Sequence, residues 1–178
     1  MAKNKENRSR SVQVKFWLTP SERSILDHDV KSSGLTMSDY LIRTLINRVG
    51  LSAISCERKY CGDSVDLFFK IGAQQIGYAS CLFFEDISTV QVSSFYVIQP
   101  FQDIGIEEKL LEEIYGYAKM NGAESIVAYP GTEPYCPTAW KPMDVQTAWY
   151  EANGFKIDHM INGVTPCMVK ELPQEAVL

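Results

Sequence analysis

Long apolar runs are missing from this sequence. No stretch approaches the roughly 18 residues that a membrane-crossing helix needs, and no apolar segment follows the basic N-terminus as a secretory signal requires. Neither a membrane span nor export is expected, and the expected location is the cytoplasm. Histidine is scarce: His28 and His159 are the two in 178 residues, and neither sits at zinc-ligand spacing from a cysteine. The five cysteines, at positions 56, 61, 81, 136 and 167, are odd in number and irregularly placed. That pattern argues against a disulfide framework and for reduced thiols. No metal site is expected.

What is present suffices for a folded protein. Apolar residues make up 46% and charged residues 22%, a balance that supplies a real core and a soluble surface. The formal charge of -5 is unevenly distributed. Residues 1–50 hold nine Lys/Arg against five Asp/Glu, and residues 51–178 hold eight against seventeen. A nucleic-acid surface, if the chain has one, belongs to the first part; the acidic remainder suits a cationic substrate better.

Residues 1–10 are polar, basic and without apolar period, and are expected to form a flexible arm. The next segment, SVQVKFWLT, alternates as a strand: Val12, Val14, Phe16 and Leu18 face one way, Gln13, Lys15 and Trp17 the other. Thr19-Pro20-Ser21-Glu22 ends it with the signature of a helix start, a capping box with proline in the first turn. That helix carries Ile25, Leu26 and Val30 and is expected to close at Gly34. A second helix begins at TMSDYLIRTLINRV, capped by Thr36 or Ser38, with Leu41, Ile42, Leu45, Ile46 and Val49 as its apolar stripe. One strand and two helices bury too little to stand alone, and the strand leaves both edges open. Pairing with the same strand of a second copy across a two-fold axis answers both needs.

Residues 10–48 resemble a ribbon-helix-helix DNA-binding domain, of the kind found in antitoxins and plasmid-mobilisation accessory proteins, most clearly in SGLTMSDYLIRTLI. The resemblance implies a homodimer through residues 11–50 that engages double-stranded DNA. Gln13, Lys15 and Trp17 would read bases in the major groove, and the amides near Met37 and Ser38 would clamp a phosphate. Trp17 stands where that family more often has a polar or basic residue.

Residues 51–62 read as a linker with room for one short strand, and residues 63–178 as a second domain. VDLFFKI, IGYASCLFFE and TVQVSSFYVI, separated by short turns, predict an antiparallel meander. VIQPFQDIGIEEKLLEEIYGYAK then joins a strand through one glycine to an amphipathic helix closing at Asn121-Gly122. SIVAYP reads as a short buried strand, parallel to its neighbour through the helical crossover. A turn-rich loop, the helix DVQTAWYEAN, and two strands, FKIDHM and PCMVKEL, complete a mixed α/β, or α+β, sheet.

Unpaired amides at the start of a helix, with the helix dipole behind them, favour an anion, and Gly105 lets a phosphate approach the backbone. FYVIQPFQDIGIEEKLL and AWYEANGF, about forty residues apart, resemble the two signature motifs of the GNAT superfamily of acyl-CoA N-acyltransferases over residues 64–170. That family's loop reads Gln/Arg-x-x-Gly-x-Gly/Ala, here Gln102-Asp103-Ile104-Gly105-Ile106-Glu107. The resemblance implies acetyl-CoA, or another acyl-CoA, as co-substrate and transfer of its acyl group to an amine. Amides from 103 to 107 would hold the pyrophosphate, Phe95, Tyr96 and Val97 would pair with the pantetheine as a strand does, and the Val97 amide would polarise the thioester carbonyl. Tyr150 would protonate the leaving thiolate. Glu85, Glu133 and Asp144 are candidates for a base.

Two positions depart from the family's pattern: Glu107 replaces a small residue beside the proposed pyrophosphate, and Met143 stands where the second motif often carries asparagine. Three arrangements follow. One is a ribbon-helix-helix module fused to a minimal GNAT-like acetyltransferase with two helices. Another is a DNA-binding regulator or mobilisation accessory protein whose GNAT-like part is a non-catalytic sensor or scaffold. The last is one continuous GNAT domain with residues 11–50 as its opening β-α-α.

Overall fold

The computed structural model describes residues 17–131 and 141–173, and the expected base-reading ribbon at 11–16 lies outside them. Helix α1 (Pro20–Ser33) starts as its sequence dictates. The Thr19 amide donates to Glu22 Oε2 at 2.8 Å, and the Glu22 amide donates back to Thr19 Oγ1 at 3.3 Å. Gly34, at φ +69°, ends the helix in the left-handed conformation that costs a residue without Cβ nothing. Helix α2 (Met37–Val49) is capped by Thr36, whose Oγ1 accepts from the Asp39 amide at 3.2 Å.

A seven-stranded sheet follows, in the order β1-β2-β3-β4-β5-β7-β6. Its strands are β1 (Ser55–Cys61), β2 (Ser64–Ile71), β3 (Gln74–Phe84), β4 (Thr89–Val97), β5 (Ser125–Ala128), β6 (Lys156–Ile161) and β7 (Thr165–Glu171). Strands β2, β3 and β4 form the expected antiparallel meander, β1 adds a fourth antiparallel strand at its edge, and β5 lies parallel to β4 through the crossover helix α3 (Ile106–Met120). Helix α4 (Met143–Ala152) leads to the closing β6–β7 hairpin. The segment 51–62, read from sequence as a linker, is structured: a short 3-10 turn at Leu51–Ala53 runs into β1, an edge strand of the sheet. Backbone pairing with β2, not an apolar face, holds it there. Its side chains are almost all exposed, so the alternation that marks a strand is absent.

The core forms where α3 lies on the sheet. Val65, Leu67 and Phe69 of β2, Ala79 and Cys81 of β3, and Phe95 and Val97 of β4 are buried with Ile106, Leu110, Leu111 and Ile114 of α3. A register shift at Ser93 lets β4 bury Val90 and Val92 on one side of the irregularity and Phe95 and Val97 on the other. Strict alternation would have turned one pair away from the core. Polar ties fix α3 to the first hairpin: Arg58 of β1 donates to Glu113, and the Tyr117 hydroxyl donates to the Asp63 carbonyl at 2.6 Å.

The helix pair is joined to this core through α2. Ile46 is 3% exposed within it and Ile42 packs against it, whereas Leu45 and Ile25 of α1 remain largely in solvent. Ile46→Ala is therefore expected to lower the stability of the sheet by about 2–5 kcal/mol. Thr19→Ala should cost about 1 kcal/mol, confined to α1. Hydrogen exchange resolved by element distinguishes the two outcomes.

Candidate functional site

The site is built around an incomplete pairing. Strand β5 accompanies β4 for four residues, Thr89–Val92 against Ser125–Ala128, and β4 then continues to Val97 without it. The Ile98 amide donates to the Ile76 carbonyl at 3.0 Å, toward β3. Backbone groups alternate sides along a strand, so the Val97 amide and carbonyl face the opening left by β5. Phe95 shares that orientation by the same alternation. Tyr96 turns to the other face, where its ring meets Tyr78 and its hydroxyl accepts from Gln75 Nε2 at 3.0 Å.

Beyond Val97 the chain makes a tight loop into α3. Gln102 folds back, and its Nε2 donates to the Val97 carbonyl at 2.7 Å. Asp103 (φ 62°) and Gly105 (φ 88°) both take positive φ in the turn that opens α3. A Cβ at Gly105 would meet strain and also the Leu51 Cδ1 at 3.3 Å. Ile104 packs on the core and Ile106 is fully buried. Glu107 turns inward. It is 1% exposed, its Oε1 accepts from the Asp103 amide at 3.1 Å, and its Oε2 is buried with no hydrogen-bond partner. Burial pushes its carboxyl above the ordinary 4.5, against the opposing pull of its own amide, the Asp103 amide and Lys141.

Helix α4 closes the site. Tyr150 is buried, its ring centroid 6.2 Å from Phe95, 5.1 Å from Trp149 and 5.0 Å from Phe155. The Trp149 indole donates to Glu108 Oε1 at 3.1 Å, which ties α4 to the first turn of α3. Lys141 bridges the same elements, pairing with Asp103 and lying 3.6 Å from Glu107 Oε1. Met143, where asparagine was expected, packs so closely on Gly131 that a Cβ there would come within 3.0 Å. Lys170 of β7 anchors the far end of α4, donating to the Asn153 carbonyl at 2.7 Å and the Tyr115 hydroxyl at 2.8 Å.

The structure thus brings Phe95, Val97, Gln102, Asp103, Ile104, Gly105, Ile106, Glu107 and Tyr150 to one end of β4, and leaves Tyr96 on the opposite face. Glu85 sits in the turn before β4, at the other end of that nine-residue strand. At about 3.3 Å per residue this is roughly 30 Å from the junction, too far for a base. Asp144 is exposed, and Glu133 lies outside the described residues. Of the DNA-reading set, Gln13 and Lys15 also lie outside them; Trp17 is 96% exposed, and Met37 and Ser38 occupy the first turn of α2.

Two features escaped the sequence. Gln146, buried within α4, accepts from the Gly131 amide at 3.0 Å and donates to the Lys141 carbonyl at 2.6 Å, clamping both ends of the loop between them. A register shift beside Asp158 lets it and His159 both approach Cys167, so that their ligand atoms and its sulfur lie within 4.8 Å of one another. Chain spacing gave no sign of this trio, because the contact crosses a hairpin. Burial pushes the Cys167 thiol up, away from the thiolate that binds metal.

The family model described as NikA-like, mobilization protein NikA, matches residues 8–56, so the N-terminal region is ribbon-helix-helix-like. No curated protein matches the chain. Solved structures of acetyltransferases share its fold. An IAA acetyltransferase from Bacillus cereus is 19% identical, with TM-score 0.52, over 67% of this chain and 99% of its own. A GNAT family acetyltransferase from Elizabethkingia anophelis, with acetyl-CoA bound, is 17% identical, with TM-score 0.53, over 68% and 99%. The PaiA N-acetyltransferase of Thermoplasma acidophilum, in complex with coenzyme A, is 15% identical, with TM-score 0.51, over 87% and 80%. The architecture is that of the GNAT fold.

The raised Glu107 pKa has a testable sign. The folded chain holds this proton more tightly than the unfolded one, so its contribution favours folding below about 4.5 and declines as pH rises through the folded-state value. Between pH 4.5 and 7.5 the wild type should lose more stability than Glu107→Gln in urea unfolding; parallel profiles would contradict the assignment.

Proposed function

We propose that this chain is an acyl-CoA-dependent N-acyltransferase carried on a ribbon-helix-helix dimer. The observation that carries this reading is the early end of the pairing between β4 and β5. Pairing with β5 stops at Val92, the Val97 amide faces the opening, and Tyr150 stands beside Phe95 on the helix that borders it. A pantetheine arm needs such an edge, because its amides pair as a strand's do.

Within this proposal the chain's own groups have distinct tasks. The Val97 N–H donates to the thioester carbonyl as negative charge develops there. Tyr150 delivers a proton to the departing sulfur, and its packing among Phe95, Trp149 and Phe155 fixes where that proton sits. The attacking amine enters neutral, and no side chain becomes acylated. On this reading the backbone of residues 103–107 would cradle a pyrophosphate, but Glu107 takes the Asp103 amide that a phosphate oxygen would use. That contact also favours a second reading, in which the domain is a non-catalytic sensor on a DNA-binding protein.

The helix pair fits a dimeriser. Trp17, Ile25 and Leu45 are large apolar side chains left in solvent, as expected of a face that a second copy covers. DNA contact through Gln13, Lys15 and Trp17 and the α2 N-terminus at Met37 and Ser38 is part of this proposal, and the NikA-like match over residues 8–56 supports it.

Calorimetry with acetyl-CoA and with S-acetyl-pantetheine tests the enzyme reading. Binding of either is expected, and binding of neither at high micromolar concentration refutes it. Tyr150→Phe should lower turnover about 10²-fold or more with affinity unchanged within twofold; undiminished turnover removes its acid role. Lys15→Ala should weaken DNA binding and flatten its salt dependence, read by titration at several salt concentrations.

A further inference from the structure

The side chain that sequence alone could not orient is the one that governs this junction. A glutamate in the first turn of a helix normally points to water, where it interacts with the helix dipole at little cost. Glu107 instead lies under the loop, almost wholly buried, with one oxygen on the Asp103 amide. The remaining oxygen is buried without a hydrogen bond, an arrangement that destabilises a charged acceptor. A structural carboxylate would be expected to satisfy both oxygens. This one holds the amide of Asp103, which with Gly105 is one of two positive-φ residues in the turn that opens α3, the backbone geometry from which anion-binding nests are built.

Lys141 supplies the other half. Its side chain is 12% exposed, and its ammonium lies between two carboxylates, Asp103 and Glu107. A cation held there by the chain's own acids is also where a ligand's phosphate would find a counter-charge. Asp103 and Glu107 therefore compete with such a ligand for the same partners, the loop amide and the ammonium.

We propose that Glu107 is a built-in anion lodged in the seat for a ligand's diphosphate, so that a diphosphate-bearing ligand must displace its carboxylate from the Asp103 amide and recruit Lys141 from the two acids. The inference rests on the proposed role of this junction as a diphosphate seat and adds to it a gate. Glu107 makes no hydrogen bond with the proposed arm site along β4, while the seat for the far end of the same molecule is occupied by the protein itself. Ligands carrying the pantetheine arm without a diphosphate escape the competition.

Inorganic pyrophosphate is the direct probe, because it engages the seat and ignores the β4 edge. Calorimetry and ³¹P line broadening should show Glu107→Ala binding pyrophosphate at least about tenfold more tightly than the wild type, a difference of about 1.4 kcal/mol. Glu107→Gln, neutral and of the same shape, should gain in the same direction and serves if the alanine variant fails to fold, as judged by circular dichroism. Adding Lys141→Ala to either variant should remove most of the gain. Affinity for S-acetyl-pantetheine should not change with Glu107.

Equal pyrophosphate affinity in wild type and both folded variants overturns the proposal, and so does a gain that survives loss of Lys141. If the variants gain pyrophosphate but neither they nor the wild type bind acetyl-CoA or S-acetyl-pantetheine, the built-in anion stands and the acyltransferase reading fails. If S-acetyl-pantetheine binds all forms while pyrophosphate affinity never changes, the reverse holds.

Discussion

Four residues of parallel pairing between β4 and β5 set the terms for the rest of this molecule. Had the two strands stayed together to Val97, the sheet would be continuous and its backbone satisfied, with no opening for anything else. Their early separation leaves the last turns of β4 with donors and acceptors facing away from β3, inside the fold and not at its rim. A buried edge of this kind has to be answered. The register shift at Ser93 belongs to the same solution, since it keeps Phe95 and Val97 in the core while the strand leaves its partner. The aromatic group of Phe95, Trp149, Tyr150 and Phe155 then packs α4 against the separated strand.

What the separation opens, the loop after β4 partly closes. Gln102 covers the Val97 carbonyl, Glu107 the Asp103 amide, and Lys141 pairs with acids on both sides of the junction. Each contact is local and polar, and each involves a group that the proposed ligand would need. On that proposal the seat is held by interactions individually worth about 1–3 kcal/mol, comparable with what a competing ligand can offer. Its occupancy would then be set by small differences and not by a large rearrangement. Gln146, by contrast, belongs to the frame: its two hydrogen bonds hold the ends of the loop whatever the state of the seat.

Much of the fold was legible because its signals are local. Thr19 with Glu22, and Gly34 after Ser33, define α1 through caps that need no knowledge of the remainder. The runs at β2, β3 and β4 alternate because one face is buried by α3. Strand β1 lies in a segment that reads as a linker with room for at most one short strand, because SCERKYC buries almost nothing and only its pairing to β2 makes it a strand. The residues around the site were legible as a set, through Gly105 and the Tyr150 segment. Their contacts were not. Glutamate in a first helical turn reads the same whether it faces water or the loop, and the choice depends on Lys141, more than thirty residues away. Glutamine at 146 looks like any mid-helix polar residue until the chain returns to place Gly131 beside it.

Ile46 carries a consequence of a different kind. It lies in the core of the sheet, while its neighbour Leu45 stands in solvent on the other flank of the same helix. Adjacent residues on a helix are about 100° apart, so α2 presents two apolar flanks with fixed relative orientation. One is already engaged; the other stands in solvent. A helix committed in this way cannot roll to suit a new partner without withdrawing Ile46. The N-terminal segment and the sheet are therefore poor candidates for shuffling as independent cassettes: a hybrid gene that exchanged either would inherit half of a joint.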